Sequence, residues 1–207
     1  PLRLRLDMLL KAATHPGWVA EYLRHGGMPI MESWRPYAPP GTDAANVAAF
    51  FRSQSPSIQT WESLARMRTA WPGKLVLKGI QAPEDARRAI EAGADGIIVS
   101  NHGGKSFDPL PSPLTTLPGV RAAVGDSMPV MFDSGIRRGW EMLIARGLGA
   151  DFAWGGRATL YGVVAAGRAG ADRAISILRS EIDTSLAMVG VARFADIGPA
   201  QIEEARG

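Results

Sequence analysis

Nine residues, IIVSNHGGK from Ile97 to Lys105, hold the densest chemistry in the chain. One histidine, His102, directly follows an apolar strand-like run and directly precedes a Gly-Gly turn. A base at the C-terminal tip of a strand, beside backbone free to approach a ligand, is how a β/α barrel presents a proton acceptor. Histidine is the side chain most often used as a general base. The plainer reading is a histidine satisfied structurally between Asn101 and Gly103. Lys105, three residues on, suits either a substrate anion or a solvated loop.

Three further stretches carry polar groups where packing asks for none. Lys78 interrupts the apolar run LVLKGI (Leu75–Ile80). A buried ammonium is costly without a partner, so Lys78 either reaches solvent or Asp133, or faces a group that gains negative charge during a reaction. The run PVMFDSG leads into Asp133, Ser134, Gly135, Ile136 and Arg137, and the last run ends in Gly155, Gly156 and Arg157. Glycine lets backbone N–H groups approach phosphate oxygens, and an arginine fork adds charged, bidentate bonds. Gly135 or Gly156 alone also suits an ordinary strand-to-helix turn. Two such turns in succession, each with an arginine, point to a phosphate.

These features need strands to align them. From Lys74 onward the chain has a β/α rhythm: strands are predicted at 75–80, 96–100, 129–135 and 152–156. The first helix is opened by Pro83 and Glu84 and closed by Gly93, the second ends near Val124, and the third near Arg146 before Gly147 and Gly149. Continuous apolar strands between helices predict a parallel sheet covered on both faces. All four polar tips then share one rim, where barrel active sites lie. In the last helix Ile175, Leu178, Ile182, Leu186 and Val189 form one apolar stripe, expected as core. Upstream, LRLRL and an amphipathic pattern through Trp18, Tyr22 and Leu23 precede a Gly- and Pro-rich stretch. Residues 26–60 are expected as a long mobile loop, and a helix resumes near Trp61 to Ala70.

Composition narrows the function. With 207 residues and no cysteine, the chain excludes disulfides, thiolate metal sites and a cysteine nucleophile. His15, His25 and His102 are scattered without metal-ligand spacing, and the first two read as non-catalytic. The net charge of +3 is spread along the chain, so no nucleic-acid partner is expected. No apolar run reaches the ~18 residues of a membrane span, and a cytoplasmic location is the expectation. The chain opens on Pro1, which suggests a trimmed product.

LVLKGI, GIIVSNHGGK, DSGIRRG and GRATLYG, in this order and spacing, resemble the FMN-dependent α-hydroxy acid dehydrogenases and oxidases. That family includes glycolate oxidase, lactate dehydrogenase and mandelate dehydrogenase, and DSGIRRG followed by GRATLYG is most similar to the mandelate dehydrogenase branch. The resemblance covers Trp61 to about Val189 and, more loosely, Pro1 to Gly26. It implies an α/β fold, the C-terminal half (about four β/α units, units five to eight at 74–190) of a TIM (β/α)8 barrel, with FMN as cofactor. The implied reaction oxidises an L-2-hydroxy acid, mandelate- or lactate-like, to the 2-keto acid. His102 matches the base that meets the substrate and takes its proton. Lys78 matches the residue at the flavin N1/O2 edge, and Ser100 a contact beside the flavin. Asp133, Ser134, Gly135, Ile136 and Arg137 match the segment along the ribityl-phosphate chain, and Gly156 and Arg157 match the phosphate clamp.

Lys105 stands where the family usually has the arginine that grips the substrate carboxylate; lysine keeps the charge and loses the planar fork. An arginine at the family's fourth strand corresponds to Arg3 or Arg5, and the register leaves both open. Half a barrel exposes a sheet edge and an apolar interior. A missing N-terminal half, covalent or on another chain, is therefore expected to complete it, and a homo-oligomer, a tetramer, is implied. Residues 26–55 match a mobile lid, which in one branch meets the membrane. The alternatives are an isomerase-like FMN or phosphate-binding barrel, and an inactive fragment or partner subunit.

Overall fold

The structure, a computed structural model, describes residues 6–24, 32–54 and 59–203. Its internal contacts divide the chain into two units, Pro1–Gln59 and Thr60–Gly207. His25, Arg3, Arg5, Gly26 to Met31 and Ser55 lie outside the described residues, and so does most of LRLRL.

The second unit begins with α4 (Trp61–Ala70), which Thr60 caps: its Oγ1 accepts from Ser63 N at 3.2 Å while Ser63 Oγ accepts from Thr60 N at 3.0 Å. There follow β1 (Val76–Ile80), α5 (Pro83–Glu91), β2 (Gly96–Val99), α6 (Pro113–Val124), β3 (Val130–Phe132), α7 (Gly139–Gly147), β4 (Phe152–Ala153) and α8 (Arg157–Met188). The strands form one sheet in the order β1-β2-β3-β4, every pair parallel. Parallel neighbours need crossovers, and α5, α6 and α7 supply them.

Alternation along the strands sorts side chains onto two faces. One face carries Ile97, Val99, Val130 and Phe132, all fully buried with Ala86, Ala89, Leu117, Val120 and Ala145 of the covering helices. Each such Ile, Val, Leu or Phe contributes roughly 1.5–3 kcal/mol by leaving water. The opposite face carries Val76, Lys78, Ile98, Met131, Phe152 and, beyond the strand end, Trp154. It is open: Val76 is 41% exposed, Phe152 54% and Trp154 49%.

The helix expected at the C-terminus departs from its pattern. α8 breaks at Ala166 (φ −154°) and Gly167 (φ 55°), and its two arms approach so closely that a Cβ on Gly162 would lie 2.3 Å from the Gly170 carbonyl oxygen. The stripe expected as core is only partly buried. Leu178 is buried, Ile182 and Leu186 are half-buried, and Ile175 and Val189 are exposed. α8 approaches α7 closely at Gly139, where a Cβ would clash with the Leu178 carbonyl oxygen.

In the first unit, α1 (Leu6–Ala13) and α2 (Pro16–Arg24) bury no residue. His15 stands between them, its Nδ1 2.9 Å from the Lys11 carbonyl oxygen and 2.9 Å from Thr14 Oγ1. The stretch expected as a loop contains a 3-10 turn (Glu32–Tyr37) and a full helix, α3 (Ala44–Gln54). Asp43 starts that helix by accepting from Asn46 N at 2.9 Å. The Pro- and Gly-rich composition upstream concealed this N-cap. Trp34 meets Tyr37, Phe50 and Phe51 edge-on.

Candidate active site at the C-terminal end of the sheet

The four strand tips meet. A cavity of about 550 Å³ is lined by Lys78, His102, Lys105, Asp133, Ser134, Gly135, Ile136, Arg137, Gly156 and Arg157, together with Ile98, Gly103, Trp154 and Gly155. That volume lies within the ~300–1,000 Å³ of ordinary ligand pockets. Ile136 contributes to the wall while its side chain is buried in the core. Ser100 is buried and sits behind the wall. Sequence reasoning passed over Ile98 and Trp154, although strand alternation puts Ile98 on the face of Lys78 and Trp154 on that of Asp133. Their apolar character hid them.

Lys78 is held rather than free. Its Nζ lies 2.6 Å from Asp133 Oδ2 and donates to Ser100 Oγ at 2.7 Å. Its side chain is 40% exposed, so desolvation is milder than a buried strand position would impose. The partnership with Asp133 and the outlook onto the cavity coexist in one residue. Burial pushes the Asp133 carboxyl upward, but the bonds from Lys78, Ser100 and Ser134 and the Lys78 charge outweigh it, leaving that carboxyl below its usual range.

A bulge makes room for the histidine. The β1–β2 register shifts between Lys78 and Ile80, and the extra residue is Gly79 at φ +100°. Bulges re-aim neighbouring side chains. A Cβ on Gly79 would come 3.2 Å from His102 Cε1, so the imidazole rests on bare backbone. The loop His102–Gly104 is a 3-10 turn, and Arg157 Nη2 donates to Gly103 O at 3.1 Å.

The electrostatics favour an anion. Lys78, Lys105, Arg137 and Arg157 line the cavity against one carboxylate, Asp133. At Gly135 and Gly156 the space where a Cβ would project is open. Gly156 is also the N-cap of α8, so the first amides of that helix face the same place. Cations, bare backbone and a helix start together fit the phosphate end of a flavin mononucleotide. Among the described residues, no group of His, Asp and Glu is arranged to hold a metal ion, and no helix is long and apolar enough to cross a membrane.

A family model described as FMN-dependent dehydrogenase matches residues 1–204. The chain belongs to this family. It is 38% identical over 200 residues to (S)-mandelate dehydrogenase of Pseudomonas putida, covering 96% of this chain and 49% of that protein. It is equally 38% identical over 204 residues to pre-mycofactocin synthase of Mycobacterium tuberculosis, covering 97% and 51%. Among solved structures, the monotopic membrane protein (S)-mandelate dehydrogenase superposes with a TM-score of 0.90 at 37% identity, over 98% of this chain and 53% of that one. The chain thus spans about half the length of the curated relatives it matches. Its four β/α units are half of a TIM (β/α)8 barrel, and the open face of the sheet is the barrel interior.

Proposed function

We propose that this chain forms half of the active site of an FMN-dependent dehydrogenase or oxidase that converts an L-2-hydroxy acid to the 2-keto acid. One observation carries the reading: Lys78, His102, Asp133 and Arg157, from four successive strand tips, line a single cavity. Arg157, Gly156, Gly135 and Arg137 would hold the phosphate, and Asp133 and Ser134 the ribityl chain. Lys78 would stand at the flavin ring, with Ser100 beside it. FMN, when bound, supplies an acceptor for the two electrons that leave the hydroxy acid. His102 takes a proton from the substrate, and the bare backbone of Gly79 lets its ring reach the cavity. Lys105 binds the substrate carboxylate through a single charge.

Mandelate and lactate are the candidate substrates, and the 38% identity to a mandelate dehydrogenase favours an aromatic one. Further β/α units, on the same polypeptide or another, close the barrel over the exposed face of Val76, Phe152 and Trp154. The location proposed is cytoplasmic, peripheral to a membrane at most. Anaerobic addition of 2-hydroxy acids to the FMN-loaded enzyme containing this chain tests the proposal. Mandelate or lactate should bleach the flavin absorbance band stoichiometrically. A band that persists with every 2-hydroxy acid tried would remove the dehydrogenase reading.

A further inference from the structure

Four consecutive amides of the histidine loop donate to side-chain oxygens. Asn101 N and Gly103 N reach Ser134 Oγ at 3.3 and 3.0 Å, His102 N reaches Ser100 Oγ at 3.1 Å, and Gly104 N reaches Asn101 Oδ1 at 3.2 Å. The same loop runs through three left-handed residues in succession, His102 (φ 58°), Gly103 (φ 69°) and Gly104 (φ 75°). Glycine adopts that conformation freely, whereas a side chain resists it. Among the described residues only two non-glycines have positive φ: His102 and Ser134, the latter at 83°. They sit on different strand tips and are joined by the hydroxyl of one of them. Strained residues held by their surroundings cluster at functional sites.

The Ser134 hydroxyl has one proton and two lone pairs. Its proton goes to Asp133 Oδ1 at 3.0 Å, and Asp133 is itself fixed by Lys78. Both lone pairs then face the loop and take the amides on either side of His102. Ser100 Oγ, 3.5 Å away, is occupied by Lys78 and His102 N.

We propose that Ser134 is a positioning residue for the base: by clamping the amides of Asn101 and Gly103 it holds His102 left-handed, with the ring over Gly79. With its hydroxyl so used, Ser134 meets the ribityl chain assigned to it above through backbone alone, and the proposal rests on that functional reading only where catalysis is concerned. The clamp makes the Lys78–Asp133 pair and the histidine loop one rigid body, since every link between them is a hydrogen bond of 3.3 Å or less.

Two variants test it. Ser134→Ala keeps a side chain at positive φ without the hydroxyl, and Ser134→Gly removes both. In the assembled enzyme with this chain ¹⁵N-labelled, hydrogen exchange at the Asn101 and Gly103 amides should quicken about tenfold or more in both variants, while Ile97 and Val99 keep their protection. The nuclear Overhauser contact between His102 Hε1 and the Gly79 α-protons should fade in both. In the FMN-loaded enzyme, kcat should fall about tenfold while KM for the hydroxy acid stays within about twofold. Unchanged exchange and an intact contact would overturn the proposal. So would lost protection at Ile97 and Val99 in both variants, which would make Ser134 a residue of the fold, or a raised KM at constant kcat, which would make it a ligand contact. A wild-type enzyme inert to 2-hydroxy acids would instead overturn the proposed function, and the exchange and Overhauser results would still decide the clamp.

Discussion

The two ends of the sheet use charged groups in opposite ways. At the N-terminal end, Asp95 before β2 accepts from Leu75 N at 2.9 Å, Arg68 Nη1 at 2.9 Å and Lys74 Nζ at 2.8 Å. Asp151, before β4, accepts from Val130 N at 2.9 Å and pairs with Arg121. The arginines complete the pattern, Arg68 donating to Gly93 O and Arg121 to Gly149 O. Gly93-Ala94-Asp95 and Gly149-Ala150-Asp151 are thus one device used twice, tying a helix, a strand start and the next strand's approach. At the C-terminal end the one carboxylate lining the cavity, Asp133, bonds to side chains, Lys78 and Ser134, that line it too. Carboxylates that tie backbone and arginines together between elements stabilise the chain, and charged groups lining a hollow are available to a ligand. The proposed function places this half-barrel under the barrel rule that stability resides at one face and catalysis at the other.

Substitutions at each end should separate the two roles. The largest effect belongs to the active-site end: His102→Ala should lower turnover by about 10²–10⁴ while FMN stays bound. Stopped-flow measurement of flavin reduction checks this, and near-normal reduction would return His102 to a structural role. Arg157→Ala should weaken FMN binding roughly 10- to 100-fold, as loss of hydrogen bonds to a charged group does, measured by quenching of flavin fluorescence. Unchanged affinity would move the phosphate clamp elsewhere.

At the other end, Asp95 should govern acid stability without touching FMN affinity. Bonds from Lys74, Leu75 N and Arg68 Nη1 hold its carboxyl down to about 2, against about 3.9 in an unfolded chain. A depressed folded value means its stabilisation is complete above about pH 4 and fades as pH falls toward 2. Asp95→Asn should therefore flatten acid unfolding in that window. An equal drop in FMN affinity would dissolve the distinction between the ends. The smallest effect is expected of Lys105→Arg, a few-fold change in KM for the hydroxy acid from a one-point to a two-point contact; an identical KM would take Lys105 out of the substrate site.

How much was legible in the chain follows the range of the forces involved. The β/α rhythm from Leu75 to Phe152 is written in local alternation, and the strands stand where their apolar runs predict. The shared cavity follows from parallel order, because any residue at a strand's C-terminal tip then falls on one rim. What local pattern could not supply depends on distant partners or on missing atoms. The Asn101 and Gly103 amides meet a hydroxyl more than thirty residues away. The close approach of α8 to Gly139 is likewise a backbone contact that apolar spacing does not record. The sharp turn at AAGRAG depends on the close approach of Gly162 and Gly170, which local pattern does not record. The meaning of the repeated Gly-Ala-Asp lies in the arginines of helices 25 or more residues upstream.

The central claim is that four strand tips make one flavin site, and its most direct test is a titration with FMN of the flavin-free enzyme assembled with this chain ¹⁵N-labelled. Amides at Lys78, His102, Asp133 and Arg157 should shift together along a single saturation curve, while Asp95 and Asp151 stay still. Shifts that saturate at different concentrations, or none at the four tips, would contradict the account.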